Sequence, residues 1–488
     1  LPVTIVPDGA ATGAVSSLPA NAAAQLGPAS QAFKQDLFFG KIDWEPTDAD
    51  RFELSYQDRD ETQDGFSGST APSSGTTTDN YDKRYALRWN HSAYSWYNEV
   101  LLTHEDSYNN PLPRTYGNGY VYTTPNGDQD PTVIQVGGAS PLAAQTKGQK
   151  GWSVEDNLTL NSFTWHGDHT VKMGVKYKAV DLEAADALDI NPQYYYTLDN
   201  ADFSGDTPYK AFFTKPVNGI GSLSPRVKSS AKQIGVYIQD DWQVNDHLML
   251  NVGVRWDYEK NPAYLDFVTP QNVVDALYAQ DPNGPSGQTY AQTLALGGIN
   301  VNDYISTGHN RHAFKDAWQP RLGFSYDVNA DEMHVIHGGI GRAYDRDLFD
   351  YMQLETTKSA LPQLTVNFRD PTSGRCYRDA APCYDWDPSY LTGGLAALQS
   401  LVGASSNAGV EVDMLNNKLK TPYSDQFSIG MSNQVGDWLT DATISRVLSY
   451  DGFAFTLGNR YLDGSFWQGN SQLWGNNMDG FGVLIVNN

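Results

Sequence analysis

The chain has 488 residues, with 33 Lys and Arg against 57 Asp and Glu and a formal net charge of -24. Nucleic acid is excluded as a partner by that balance, since phosphate contacts need clustered Lys and Arg; a solvated acidic surface, a cationic ligand or bridging divalent ions are its consequences. A mean hydropathy of -0.49, with no apolar run near the roughly 18 residues of a spanning helix, excludes a helical membrane protein, whereas 29 Tyr, 12 Trp, 19 Phe and 44 Gly suit many strands joined by turns.

Residues 1–33, rich in Ala, Pro, Gly and Ser, lack periodicity and are expected to be loop or coil, and their LPVTIVPDGAATG start has no basic, apolar leader. Hairpins follow. Residues 37–45 and 51–58 flank a polar turn, with Phe52, Leu54 and Tyr56 on one parity. Residues 81–90 and 94–104 form the next, where Tyr85, Leu87 and Trp89 face with Trp96, Val100 and Leu102. In 152–164 and 170–180, Val171, Met173, Val175, Tyr177 and Ala179 alternate with Lys172, Gly174, Lys176 and Lys178.

The clearest hairpin is Lys232 to Tyr258. Leu248, Leu250, Val252 and Val254 are expected to face lipid, with Asn251, Arg255 and Asp257 facing a polar interior. Asp240 is the one charge on the apolar parity, most comfortable near a membrane interface. Further pairs are 318–328 with 333–345 and 423–435 with 438–450. Each arm has about ten residues, enough for a tilted strand to cross a bilayer. Tight turns alternate with connections of roughly 20 to 75 residues, too long for a compact soluble sheet but expected for an outer-membrane barrel with short periplasmic turns and long external loops. Trp44, Trp89, Trp96, Trp242, Trp256, Trp318 and Trp438 lie near strand ends, where interfacial aromatic belts belong. The expectation is an all-β, antiparallel transmembrane barrel segment over 34–451, with 452–488 an external loop or the start of further strands.

The run VYIQDDWQVNDHLMLNVGVRWDY (236–258) resembles the barrel signature of TonB-dependent outer-membrane receptors. LFFGKIDWEPTDADRFELSYQDRDET (37–62), WQPRLGFSYDVNADEMHVIHGGIGRAYD (318–345) and TPYSDQFSIGMSNQVGDWLTDATISRV (421–447) are similar to the Oar-like branch of that family. The resemblance implies a barrel of about 22 strands occluded by a plug, energised through a periplasmic TonB contact. About twelve strands are legible here, with no plug, TonB-contact segment or terminal aromatic strand, so a slice of a longer receptor is expected.

Catalytic and metal chemistry is sparse. His309 and His312 lack a third ligand, and His334 and His337 have opposite parity on one strand and cannot converge on an ion. Asn126-Gly127-Asp128-Gln129-Asp130 alternates oxygen ligands, so calcium in an acidic loop stays open, without the distal Glu of a calcium-loop motif; no other cofactor is implied. Cys376 and Cys383 are close enough in sequence for a loop-clasping disulfide in an oxidising compartment. Tyr194, Tyr195 and Tyr196 form an aromatic run that, if exposed, could stack on a sugar or peptide, with loop self-packing the more frequent fate of such a run. Carboxylate clusters such as Asp58, Asp60 and Glu61 fit a solvated rim better than a glycosidase.

The sequence thus points to a non-enzymatic receptor or transporter in the outer membrane of a Gram-negative bacterium, with lipid, the TonB complex and an unidentified ligand as partners. The alternative is a structural or adhesive barrel that binds a surface or secreted protein.

Overall fold

The computed structural model describes residues 1–127, 129–140, 143, 145–186, 191–200, 203, 206–214, 227–281, 287–346, 349–360, 363–380, 383–402, 412–456 and 481–487. Twelve long strands make the wall: β1 (Phe33–Thr47), β2 (Asp50–Gly65), β3 (Thr76–Ser92), β4 (Trp96–Pro113), β5 (Gln145–Leu160), β6 (Asp168–Asp186), β7 (Val227–Gln243), β8 (Leu248–Lys260), β9 (Ala317–Asp327), β10 (His334–Tyr344), β11 (Tyr423–Val435) and β12 (Trp438–Tyr450). Each pairs antiparallel with the next in chain order, and among the described residues β1 and β12 end the sheet. The connections alternate without exception: tight turns at one end, long excursions at the other.

Register explains the alternation in the sequence. One line of cross-strand partners runs Ile42, Leu54, Leu87, Leu102, Val154, Tyr177, Ile234, Tyr258, all on one face. The line one residue over runs Asp43, Glu53, Arg88, Leu101, Glu155, Lys176, Gly235, Asp257, with Leu101 its single apolar member. Because successive side chains point to opposite faces, slipping any strand by one residue would exchange the two sets. Gly235 is required on the polar side, where a Cβ would collide with Asp257 and the Arg255 guanidinium.

The long connections are not unstructured. They interlace into an external cap around a six-stranded sheet, ordered Cys383–Asp385, Gln363–Arg369, Lys210–Thr214, Gln193–Thr197, Gly119–Thr123 and Thr132–Gly137. Those strands come from three different connections, β4 to β5, β6 to β7 and β10 to β11. The largest buried apolar cluster lies here and not in the wall, enclosing Ile134, Tyr194, Phe213, Phe368 and Leu398.

Residues 1–33, expected to be loop or coil, belong to this cap. Pro2–Ile5 pairs with Gly27–Ser30, and Ile5, Ala11, Ala14 and Ala22 are buried in the same cluster. The alanines that erase a periodic signal are what let this segment pack closely. A second apolar cluster, around Leu277, Leu294, Val301 and Met414, organises the β8 to β9 connection.

Candidate functional site: the cap and the lumen wall

The three tyrosines do not form an exposed patch: Tyr194 and Tyr196 are cap interior and Tyr195 is half-buried. Tyr194 is 0% exposed and Tyr196 7%, and the Tyr194 hydroxyl donates to the Tyr390 carbonyl at 2.6 Å with its ring edge-on to Trp386. Burial holds the phenols of Tyr194 and Tyr196 above their usual range. The correction has a simple cause: both faces of Gln193–Thr197 are covered, and its neighbours in the sheet come from residues 119–123 and 210–214.

Tyr195 points to the other face, where Lys210 stands 4.4 Å from its ring centre and 5.6 Å from that of Tyr209. Burial pushes the Lys210 amine below the ordinary lysine range, against the opposing pull of Asp130. Asp130 is already engaged, accepting from the Tyr377 hydroxyl at 2.5 Å and Arg378 at 2.7 Å. Cys376, next to Tyr377, is disulfide-bonded to Cys383. Asp128 of the calcium-like run lies outside the described residues, and among those described no three His, Cys, Asp or Glu side chains gather as a metal set. His334 bonds Asn433 and His337 bonds Asp441.

A second cap feature escaped sequence reading altogether. Arg311 and Glu355 are 0% and 1% exposed and form a two-pronged pair at 2.6 and 2.9 Å. The rest of the guanidinium donates to Asn417 and to the carbonyls of Tyr264, Tyr304 and Leu415. Leu415 N–H donates back to Glu355. One ion pair therefore ties the β8 to β9 connection to the β10 to β11 connection, with nearly every donor of the fork satisfied.

From Glu355 the chain leads to the lumen. The short helices Phe349–Met352 and Leu354–Ala360 lie against the inner face of the wall, where Phe349 packs on Val180, Leu182 and Ala231. Gln353 accepts from Ser229 at 3.0 Å and Asp350 from Lys147 at 2.6 Å. Below them the polar face carries paired charges: Lys178 with Glu105, Lys176 with Glu155, Lys172 with Asp241, and Arg255 with Asp257. A groove of about 1100 Å³ follows the wall past Gln239, Arg255, Gln319 and Arg321. Such a surface is wettable, and each of the four cations named is matched to an acid.

On the opposite face, Val252 and Val254 are exposed and Leu248 and Leu250 half-exposed, in line with Ile238 and Trp256. Trp44, Trp89, Trp96, Trp242 and Trp438 sit at the turn end, and Trp256 and Trp318 face each other as register partners at the loop end. Trp165, not singled out in the sequence, lies in the turn between β5 and β6 and is 67% exposed. Asp240 pairs with His169 at 2.6 Å, beside Trp242 and near the turn end.

The protein-family comparison matches residues 3–443 to the outer membrane beta barrel domain. The chain belongs to that family. It is an outer-membrane protein of a Gram-negative bacterium, and barrels of that kind turn an apolar face to lipid. Among solved structures it is similar to the outer membrane transporter YddB from Escherichia coli, with a TM-score of 0.54 and 13% identity over 88% of this chain and 42% of that one. It is also similar to a mutant of the ferric enterobactin receptor PfeA from Pseudomonas aeruginosa, with a TM-score of 0.50 and 12% identity over 99% of this chain and 49% of that one. At such identities the likeness concerns fold, and the chain spans about half the length of these barrels. No curated protein sequence matches it.

Proposed function

We propose that the chain is the ligand-capturing and pore-wall portion of a TonB-dependent outer-membrane receptor that imports a polar ligand without transforming it. The observation that carries this reading is the asymmetry of the wall, with bare turns toward the periplasm and interlaced, cored connections outside, above a lumen face of paired charges. Similarity in fold to an outer membrane transporter and to a ferric enterobactin receptor supports it. Ligand capture falls to the cap, and passage to the face bearing Lys172, Lys176, Arg255 and Asp257. Uptake should be tested in whole cells by following which compounds of a defined, isotopically labelled medium accumulate. At least one should accumulate only when both the receptor and TonB are present. Identical profiles with and without TonB would remove the import reading, and stable capture of a protein without solute uptake would install the adhesive one.

A further inference from the structure

A cavity of about 440 Å³ opens where the Phe349–Met352 helix crosses the lumen side of β2 to β6. Arg59, Asn80, Asp82 and Gln149 reach it from the wall, and Phe349 closes it from above. The four wall residues share the inward parity of Glu53, Arg88 and Glu155. The volume lies within the range of small-molecule sites, roughly 300 to 1,000 Å³.

Two of its polar atoms are buried and unanswered, Arg59 Nε and Asn80 Oδ1. Asn80 spends its amide nitrogen on Glu61 at 3.3 Å, and Arg59 makes no ion pair among the described residues although Asp82 is its cross-strand partner. Buried polar groups are otherwise almost always satisfied. The two orphans are diagonal neighbours across β2 and β3, one able only to donate and the other only to accept. An ionised carboxylate could answer Arg59 but has no proton for Asn80, and hydrogen phosphate, which keeps one, would add negative charge to a lining that already holds more acids than bases. An ammonium could answer Asn80 but has no lone pair for Arg59. A hydroxyl does both. The lining sets Asp82, Glu183 and Asp350 against Arg59 and Lys147, with Lys147 held by Asp350 at 2.6 Å, a balance that disfavours an anion, and the Phe349 ring supplies an apolar face for C–H groups.

We propose that this cavity binds a neutral, hydroxyl-rich ligand of one or two sugar rings, with Arg59 Nε donating to its hydroxyls and Asn80 Oδ1 accepting from them. The site deepens the import reading and rests on it for the direction in which the ligand then travels. The test is calorimetric titration of the detergent-solubilised full-length receptor with maltose, cellobiose and mannobiose, and with inorganic phosphate as the anionic probe. At least one disaccharide should bind saturably and phosphate should not compete. Asn80→Asp keeps the shape but hands Arg59 a carboxylate, and should weaken binding about tenfold or more, as should Arg59→Met; circular dichroism checks that each variant is folded. Absence of disaccharide binding to the folded receptor, displacement by phosphate, or unchanged binding by folded Asn80→Asp would each overturn the proposal, the last by showing that water suffices for the orphans. A disaccharide that binds but is never accumulated by cells would defeat the import reading and leave the site standing. TonB-dependent uptake of another compound with no disaccharide binding would defeat the site alone.

Discussion

In the wall, Ile42, Leu54, Leu87 and Leu102 lie side by side on an exposed face, whereas in the cap Tyr194, Phe213 and Phe368 belong to a buried cluster drawn from five separate stretches of chain. The wall is held by its ladder of backbone hydrogen bonds and by lipid, which satisfies apolar groups but no polar ones. The cap lives in water and must assemble its own interior. The same composition of aromatic and β-branched residues therefore serves two solvents, and a substitution should be judged by which one it meets.

The sharpest break in that contrast is expected at Arg311 and Glu355. Replacing either alone by Ala strands a charge in the cap and should cost about 3–5 kcal/mol of local stability, read as early proteolysis of residues 261–316 while the wall stays intact. Loss of wall and cap together would mean that the two fold as one unit. A step smaller, Val252→Arg puts a charge on the lipid face and should cost about 2–4 kcal/mol, with Gln239→Arg on the lumen face near neutral, compared by refolding equilibria in lipid vesicles. Equal costs would remove the assignment of faces.

The smallest effect is a slope. Between its lowered folded value and the ordinary lysine value near 10.4, Lys210 is neutral in the cap but protonated in the unfolded chain. The unfolded state then binds more protons, so cap stability rises with pH across that window and is penalised below it. Lys210→Met should flatten the rise, as measured by tyrosine fluorescence during denaturant unfolding at several pH values.

These differences also explain what could be read in advance. Strand alternation such as Leu248 to Tyr258 is a local property, and register follows from it, so the wall was legible from one hairpin at a time. The cap was not, because Gln193–Thr197 finds its partners at 119–123 and 210–214 and its lid at Trp386 and Tyr390. A signal did exist: GYVYT, QYYYT, KAFFT and QLTVNFR are short aromatic and β-branched runs of strand character. Nothing comparable marks Arg311 and Glu355, which are isolated charges in unremarkable surroundings until the chain brings them together. The orphan pair in the lumen cavity is hidden for a related reason, since Arg59 and Asn80 look like ordinary inward polar positions.

The shared cap sheet bears on how such a barrel can diversify. Separate loops can lengthen, shorten or change sequence one at a time, because each answers only to its own two strand ends. Here Lys210–Thr214 is flanked on one side by a strand from its own connection and on the other by Gln363–Arg369 from a distant one, so an insertion in one excursion shifts the edge on which another depends. A new outer surface would have to arise by concerted substitution across all three excursions, or by exchanging the cap whole.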